Sequence, residues 1–407
     1  MGESILKSLY EEIIRLYGTP VYIYNISEVK KRIKLLSKCL MRNSGLFFSL
    51  KANPLLDIIN IAYKNGCGVE VASGGELNLA LEAGVRPEDI IFTGPGKTTS
   101  ELEQAIRAGI YIINVESVQE IRLIQKIAEG IGKRVSIALR INPANNRSKS
   151  KIQMSGISSQ FGIEENDLKD TLFREIGQMQ NVSLCGIHIY MGTCILDAKE
   201  ICRNAEYTVY LGLELAKRFS FELKYINLGG GFGVSYFPND SALDMDELSC
   251  EMRMLEKKYS AELSNVKVFF ESGRFILADC GVFLIRVLYR KESKGNVYLV
   301  CDGGSNFHAS SAFLGRFVRG NFPMYVLGKE GEQQEFNVTG PLCTPTDLLG
   351  QKVKLPKSTK EGDIIVIEKS GAYGLSYSPY GFLNHTLPTE VGYEEGDGFQ
   401  IMFAERR

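Results

Sequence analysis

The chain has 407 residues, 44% hydrophobic and 23% charged, with a formal net charge of −1. That length supports a large core and two domains, and the composition is that of a globular protein. A charge so near zero leaves no footprint for nucleic acid or an anionic membrane, and no apolar run is long enough to span a bilayer.

The opening residues, Met1-Gly2-Glu3-Ser4-Ile5-Leu6-Lys7, lack the basic segment and long apolar run of a signal peptide. The nine cysteines are scattered and form no C-x-x-C pair, which argues against a disulfide framework or a zinc site. His188, His308 and His385 are the only histidines, too few for a histidine-rich metal centre. A cytoplasmic protein with no metal, no nucleic acid and no membrane partner is expected.

In chain order, the β-rich run Pro20-Val21-Tyr22-Ile23-Tyr24 comes first. From there to about residue 274, β-rich runs alternate with helical stretches. The expected strands are 46–51, 68–73, 90–94, 110–115, 135–142, 185–192, 224–229 and 267–272. Ser73–Glu76, Ser100–Glu103 and Ser117–Glu120 have the spacing of capping boxes, in which serine and glutamate satisfy each other's free amides. Amphipathic helices follow, as with Ile121, Ile124, Ile127 and Ala128 on one face.

Eight strands in βα alternation make this an α/β chain and suggest a closed (β/α)8 TIM-type barrel, with its active site at the strand C-termini. A doubly wound open sheet competes, but usually has fewer strands. Past residue 280 the pattern changes. Val282–Tyr289, Val297–Val300, Gln351–Leu355 and Asp363–Glu368 read as strands with no helices between them, so an antiparallel β domain is expected. The expected division is 31–275 for the barrel and 276–407 for the β domain, with residues 1–30 joining the latter.

If the barrel closes, polar residues at its strand ends converge. Lys51 ends the first run, Glu70 and Arg140 lie on the second and fifth, and His188, Tyr190 and Thr193 on and after the sixth. Gly229-Gly230-Gly231 follows the seventh, and Glu271-Ser272-Gly273-Arg274 ends the eighth. A lysine at a strand mouth is ordinarily a surface residue; its other use is an amine ready to form a Schiff base with a carbonyl compound. Consecutive glycines let backbone amides approach a phosphate, which in this fold commonly sits after strands seven and eight. A carboxylate such as Glu271 facing the pyridine nitrogen of pyridoxal phosphate keeps that nitrogen protonated and the ring a strong electron sink. The alternative is a glutamate paired with Arg274.

Taken together these residues resemble the fold type III (alanine-racemase-fold) decarboxylases, the group that includes diaminopimelate, ornithine and arginine decarboxylases. The resemblance runs from Pro20 to about residue 392. It rests on Ser49–Asn53, Glu70–Ser73, Gln160–Ile163, Asn227–Gly231, Glu271–Arg274, Gly340–Cys343 and Gly371–Gly374. It implies pyridoxal phosphate held covalently at Lys51, with Glu271 at the pyridine nitrogen and Glu70, Arg140, His188 and Tyr190 around the cofactor. Thr193, Gly229, Gly230, Gly231, Gly273, Arg274 and Tyr373 are implied at the phosphate. Cys343 is implied as the proton donor, acting in the neighbouring subunit's site of a homodimer; its other reading is an inert core cysteine.

Three departures bear on the substrate. Tyr190 stands where the family usually has a histidine over the ring. Cys343 is followed by Thr344-Pro345-Thr346-Asp347 and not by the glutamate of diaminopimelate decarboxylases. The segment Asp302–Ser311, which includes His308, lacks their arginine for the distal carboxylate. Loss of a buried charged partner typically costs a few kcal/mol. The pattern is similar to the specialised-metabolism branch, which includes decarboxylases of glutamyl groups on carrier proteins and of siderophore pathways. Thr344, Asp347, His308 and Arg274 are the expected substrate contacts, and Arg316 and Arg319 are candidates for a phosphopantetheine or citryl group. The expected activity is α-decarboxylation of an amino acid, free or carrier-linked. Diaminopimelate decarboxylase is the alternative, followed by a racemase or a non-catalytic binding homologue.

Overall fold

A computed structural model describes residues 3–144, 152–153, 158–312, 320–396 and 398–405. The chain divides into two compact units. One comprises Ile33–Val234 with Ser241–Gly273, and the other Met1–Arg32, Ser235–Asp240 and Arg274–Arg407.

The first unit is the closed barrel that the alternation implied. Its strands are β1 (Ser44–Ser49), β2 (Gly68–Val71), β3 (Ile90–Thr93), β4 (Ile112–Val115), β5 (Val135–Asn142), β6 (Val182–His188), β7 (Tyr225–Asn227) and β8 (Lys267–Ser272). Each pairs in parallel with the next. β8 returns to β1 with Phe270 opposite Leu46 and Glu271 opposite Phe47, which closes the ring.

Helix starts between the strands follow capping chemistry, with two differences from the sequence reading. Ser73 and Ser117 accept from the amides of Glu76 and Glu120. Their glutamates reach one residue past the cap, to the amides of Ala72 and Glu116. The third helix starts at Thr98, not Ser100, and there the reciprocal box with Glu101 is complete. Both residues have a glutamate three positions on, so spacing does not choose between them. Glu101 also accepts from Gly74 N at 2.7 Å, a tie to the neighbouring helix that favours the earlier start.

Inside the barrel a period of two separates an apolar plug from a polar layer. Phe47, Ile91, Ile112, Ala138, Cys185 and Tyr225 form one buried cluster, with Phe269 packed against it. Glycines make room for its rings: a Cβ on Gly68 would lie 2.3 Å from the Phe47 ring, and one on Gly45 2.5 Å from that of Phe269. Two residues further along β1, β3, β4, β5, β7 and β8 stand Ser49, Thr93, Asn114, Arg140, Asn227 and Glu271. With Glu70 on β2 and His188 on β6, every strand contributes at least one buried polar residue near its C-terminal end.

The second unit is a nine-stranded sheet. It is mixed, which corrects the antiparallel expectation. Val21–Asn25 does join this sheet, antiparallel to Gly281–Ser293 but parallel to Thr389–Glu395. Asn296–Cys301 and Gln333–Thr339 also pair in parallel. The parallel pairs arise because their partners are joined through long intervening chain and not through hairpins. The strands Met324–Val326, Gln333–Thr339, Thr389–Glu395 and Phe399–Glu405 were not foreseen from sequence. No helix of the described residues is long and apolar enough to cross a membrane.

Candidate active site

Lys51 lies just past β1, in the 3-10 turn Leu50–Ala52, and not on the strand itself. Its Nζ donates to Glu70 Oε1 at 2.9 Å and to Oε2 at 3.1 Å. Ser49 Oγ donates to the same carboxylate. The Lys51 side chain is 41% exposed and that of Glu70 1%, so a buried carboxylate aims an amine that solutes can reach. The Tyr190 ring centroid is 5.9 Å from that amine.

Glu271 is buried at the end of β8 and takes a 2.7 Å hydrogen bond from Asn227 Nδ2 on β7. Burial pushes its carboxyl up to about 8, with the charge of Glu70 adding to the rise and that of Lys51 opposing it. His188 Nε2 lies 3.5 Å from Glu271 Oε1. Neither nitrogen of this buried imidazole has a hydrogen-bond partner among the described residues. Burial, with the positive charges of Arg140, Lys51 and Lys97, holds it well below the usual histidine range and therefore neutral.

Arg140 on β5 is placed by Glu116, whose Oε1 accepts from Nη1 at 2.7 Å. Glu116 Oε2 accepts from Gly162 N at 3.1 Å, and the guanidinium stacks 4.7 Å from the Phe161 ring. One carboxylate thus holds both the arginine and the loop that covers it. Behind it, buried Lys97 spends its ammonium on Gly94 O, Asn114 O and Glu120 Oε1. Full pairing is what lets such charges be buried at all.

The glycine turn after β7 threads between backbones. A Cβ on Gly229 would meet Ile189 O at 2.5 Å, on Gly230 Glu271 O at 2.1 Å, and on Gly231 Gly192 O at 2.3 Å. Gly229 and Gly231 also have positive φ, at 66° and 91°. Thr193 is half-buried in the short strand Gly192–Thr193, and Gly273 packs its Cα against Ala52, where a Cβ would come within 2.6 Å. This set fits pyridoxal phosphate. It offers a reachable amine, a buried carboxylate, a close-packed glycine turn, and buried polar atoms on His188 and Ser272 that have no hydrogen-bond partner among the described residues.

In the sheet unit, Arg274 donates to Tyr236 Oη at 3.1 Å and stacks 4.5 Å from the Tyr373 ring. Tyr373 has a φ of 56°. Cys343 is an exposed free thiol on the loop between Gln333–Thr339 and Leu348–Pro356. Thr344 Oγ1 on that loop bonds Thr346 Oγ1 at 2.9 Å. Two expected substrate contacts are placed otherwise. Asp347 is buried, its carboxylate accepting from Ser305 N and Leu342 N, so it shapes the cysteine loop. His308 is fully buried, with Nε2 on Ser370 Oγ and Nδ1 accepting from Ser311 N. Their polar atoms are engaged because the short turns at 302–311 and 340–347 have amides that need acceptors. Arg316 and Arg319 lie outside the described residues.

Sequence reading passed over Ser49, Lys97, Glu116, Glu120 and the Asn227 side chain as parts of this site. For Ser49 and Asn227 the available signal is the period of two, which puts a polar residue two positions beyond an apolar inward residue; Lys97, Glu116 and Glu120 lie off the strands, where that signal does not reach.

Comparison with known proteins agrees with this geometry. Residues 26–278 match the family described as pyridoxal-dependent decarboxylase, pyridoxal binding domain. The chain is 39% identical over 385 residues to an L-glutamyl-[BtrI acyl-carrier protein] decarboxylase of Niallia circulans, covering 93% of this chain and 90% of that protein. It is 31% identical to the diaminopimelate decarboxylase of Archaeoglobus fulgidus, covering 90% of this chain and 86% of the other. Among solved structures, diaminopimelate decarboxylase from M. jannaschii with L-lysine superposes with a TM-score of 0.88 at 26% identity, covering 97% and 91% of the two chains. The Helicobacter pylori enzyme with L-lysine gives 0.85 at 26% identity, covering 96% and 95%. The chain belongs to the pyridoxal-dependent decarboxylase family and is a carboxy-lyase that uses pyridoxal phosphate.

Proposed function

We propose that this enzyme removes the α-carboxylate of a glutamyl group, or a related amino-acid conjugate, carried on a protein or other acyl carrier. The observation that carries this reading is the 39% identity, over 93% of the chain, to a decarboxylase of a carrier-linked glutamyl group. The diaminopimelate decarboxylases reported above stand at 31% or below. Free diaminopimelate is the second reading, and the engaged carboxylate of Asp347 and imidazole of His308 leave neither free to read its far end.

Pyridoxal phosphate, when bound, supplies the electron sink for the pair left behind as carbon dioxide departs. The chain's residues do the rest. Lys51 Nζ is the point of covalent attachment, oriented by Glu70 and reachable from solvent. Glu271 would hold a proton on the ring nitrogen, and neutral His188 beside it would add no competing positive charge. Tyr190 would give the ring a flat neighbour, and the amides of Gly229–Gly231 with Thr193 would hold the phosphate. The assignments of Arg274 and Tyr373 to the phosphate carry over from the family resemblance.

Cys343, an exposed thiol, returns a proton to the carbon that lost the carboxylate, within a homodimer whose subunits share their sites. All nine cysteines are free, which suits a reducing cytoplasm.

The test is carbon dioxide release from a glutamyl-loaded acyl carrier protein, free glutamate, diaminopimelate, ornithine, lysine and arginine. Preference for the loaded carrier supports the proposal, and turnover confined to diaminopimelate overturns it.

A further inference from the structure

Resting on the reading of the barrel as a pyridoxal phosphate site, we infer that Asn227 is a positioning residue. It fixes the register between the glycine turn and Glu271, and so the spacing of the seats for the cofactor's phosphate and ring nitrogen.

The side chain is fully buried on β7 and every polar atom of its amide is engaged. Oδ1 accepts from Gly229 N at 2.9 Å, the first amide of the glycine turn. Nδ2 donates to Glu271 Oε1 at 2.7 Å and to Tyr225 Oη at 3.0 Å. One planar group therefore clasps the turn with its carbonyl and the carboxylate with its amine. The backbones are joined as well: Glu271 N donates to Gly229 O at 2.8 Å, and a Cβ on Gly230 would strike Glu271 O.

The phosphate is carried on a short arm from a ring carbon two atoms from the pyridine nitrogen, so the two seats must keep a narrowly limited separation. A rigid amide spanning both seats holds that separation better than two independent contacts. The donor on Asn227 also keeps one oxygen of Glu271 occupied at every pH. The titratable and charged groups around the pair are Tyr225, His188, Glu70, Lys51 and Arg140.

Asn227→Asp tests this with little change of shape. It keeps the acceptor for Gly229 N but replaces the donor with a carboxyl, which donates to Glu271 only while protonated. Pyridoxal phosphate affinity is measured by equilibrium dialysis against cofactor-free protein across pH, together with the pH titration of the bound cofactor's absorption. Expected is a loss of affinity relative to the parent that grows with pH, reaching roughly ten- to hundredfold, the worth of a hydrogen bond to a charged group.

Adding Glu271→Gln to Asn227→Asp exchanges donor and acceptor across the pair. The double variant is expected to regain affinity over Asn227→Asp without regaining turnover. If Asn227→Asp does not fold, Asn227→Ser takes the same measurements, with the affinity loss expected at all pH values. An affinity and titration matching the parent at every pH, in whichever variant folds, overturn the role of Asn227. A parent protein that shows no saturable, Lys51-dependent cofactor binding instead overturns the reading beneath it.

Discussion

His188 Nε2 and Glu271 Oε1 stand 3.5 Å apart in the barrel interior, yet they do not form an ion pair. Burial drives both toward their uncharged forms: the carboxyl rises to about 8 and the imidazole falls well below 6.5. Desolvation exceeds what mutual attraction returns between two groups this deeply buried. The two groups therefore limit the cofactor-free protein from opposite ends of the pH scale.

On the alkaline side, Glu271 binds its proton more tightly folded than unfolded. Stability from this group is full below 4.5 and declines as pH rises toward about 8. Glu271→Gln is expected to flatten that decline, raising the melting temperature of cofactor-free protein above that of the parent at pH 8 but not at pH 5. Calorimetry of both proteins across that range checks it. Equal pH slopes would show that the carboxyl is not protonated in the fold.

On the acid side the sign reverses. His188 stays neutral in the fold but takes a proton once unfolded, so its contribution is intact above 6.5 and is lost as pH falls below it. His188→Gln is expected to soften the acid limb of the same melting profile and to leave the limb above pH 7 unchanged. An acid limb identical to the parent's removes His188 from the account.

Lys51→Ala is expected to abolish the cofactor's Lys51-dependent absorption band and to lower turnover by roughly a thousandfold or more, since covalent attachment and amine exchange both depend on that nitrogen. Some loss of stability is expected as well, because the buried Glu70 carboxylate is left without its ammonium partner. A retained band would move the attachment point to another lysine.

The barrel was legible because each strand is a short apolar run followed by cap chemistry, and local pattern of that kind does not depend on distant partners. Lys51, Glu70 and Glu271 were legible for a related reason, as charged residues ending buried runs. Asn227 was not, since an amide beside glycines reads as turn chemistry until its 2.7 Å bond to Glu271, 44 positions on, is seen. Asp347 was misread in the other direction. Its position after Cys343 suggested substrate contact, but the amides of Ser305 and Leu342 claim it, and Ser305 lies 42 positions away. The parallel pairs of the sheet unit escaped notice because strand direction there is set by long connections and not by local pattern.

Asp347 accordingly predicts a stability effect with an activity consequence. Asp347→Ala leaves two buried amides without acceptors and is expected to cost roughly 2–4 kcal/mol. Asp347→Asn keeps one acceptor and is expected to lose about half as much. Urea unfolding of the three proteins measures this. A neutral Asp347→Ala would show that the cysteine loop is held by other contacts.

Cys343 offers the sharpest test of a shared site. If Cys343 is the proposed proton donor, Cys343→Ala is expected to lower turnover by about a hundredfold or more while leaving the cofactor band intact. Lys51→Ala and Cys343→Ala are each expected to be nearly inactive, and in the proposed dimer they damage different halves of a site that two subunits build together. If equal amounts of the two variants are unfolded together and refolded, half the dimers are mixed. Each mixed dimer carries one site with both residues intact, which restores about a quarter of the parent's sites. Recovery near that level establishes that Lys51 of one chain works with Cys343 of another. Activity that stays at the level of the separate variants, in a mixture shown to contain mixed dimers, places both residues in the same chain's site and removes the shared-site reading.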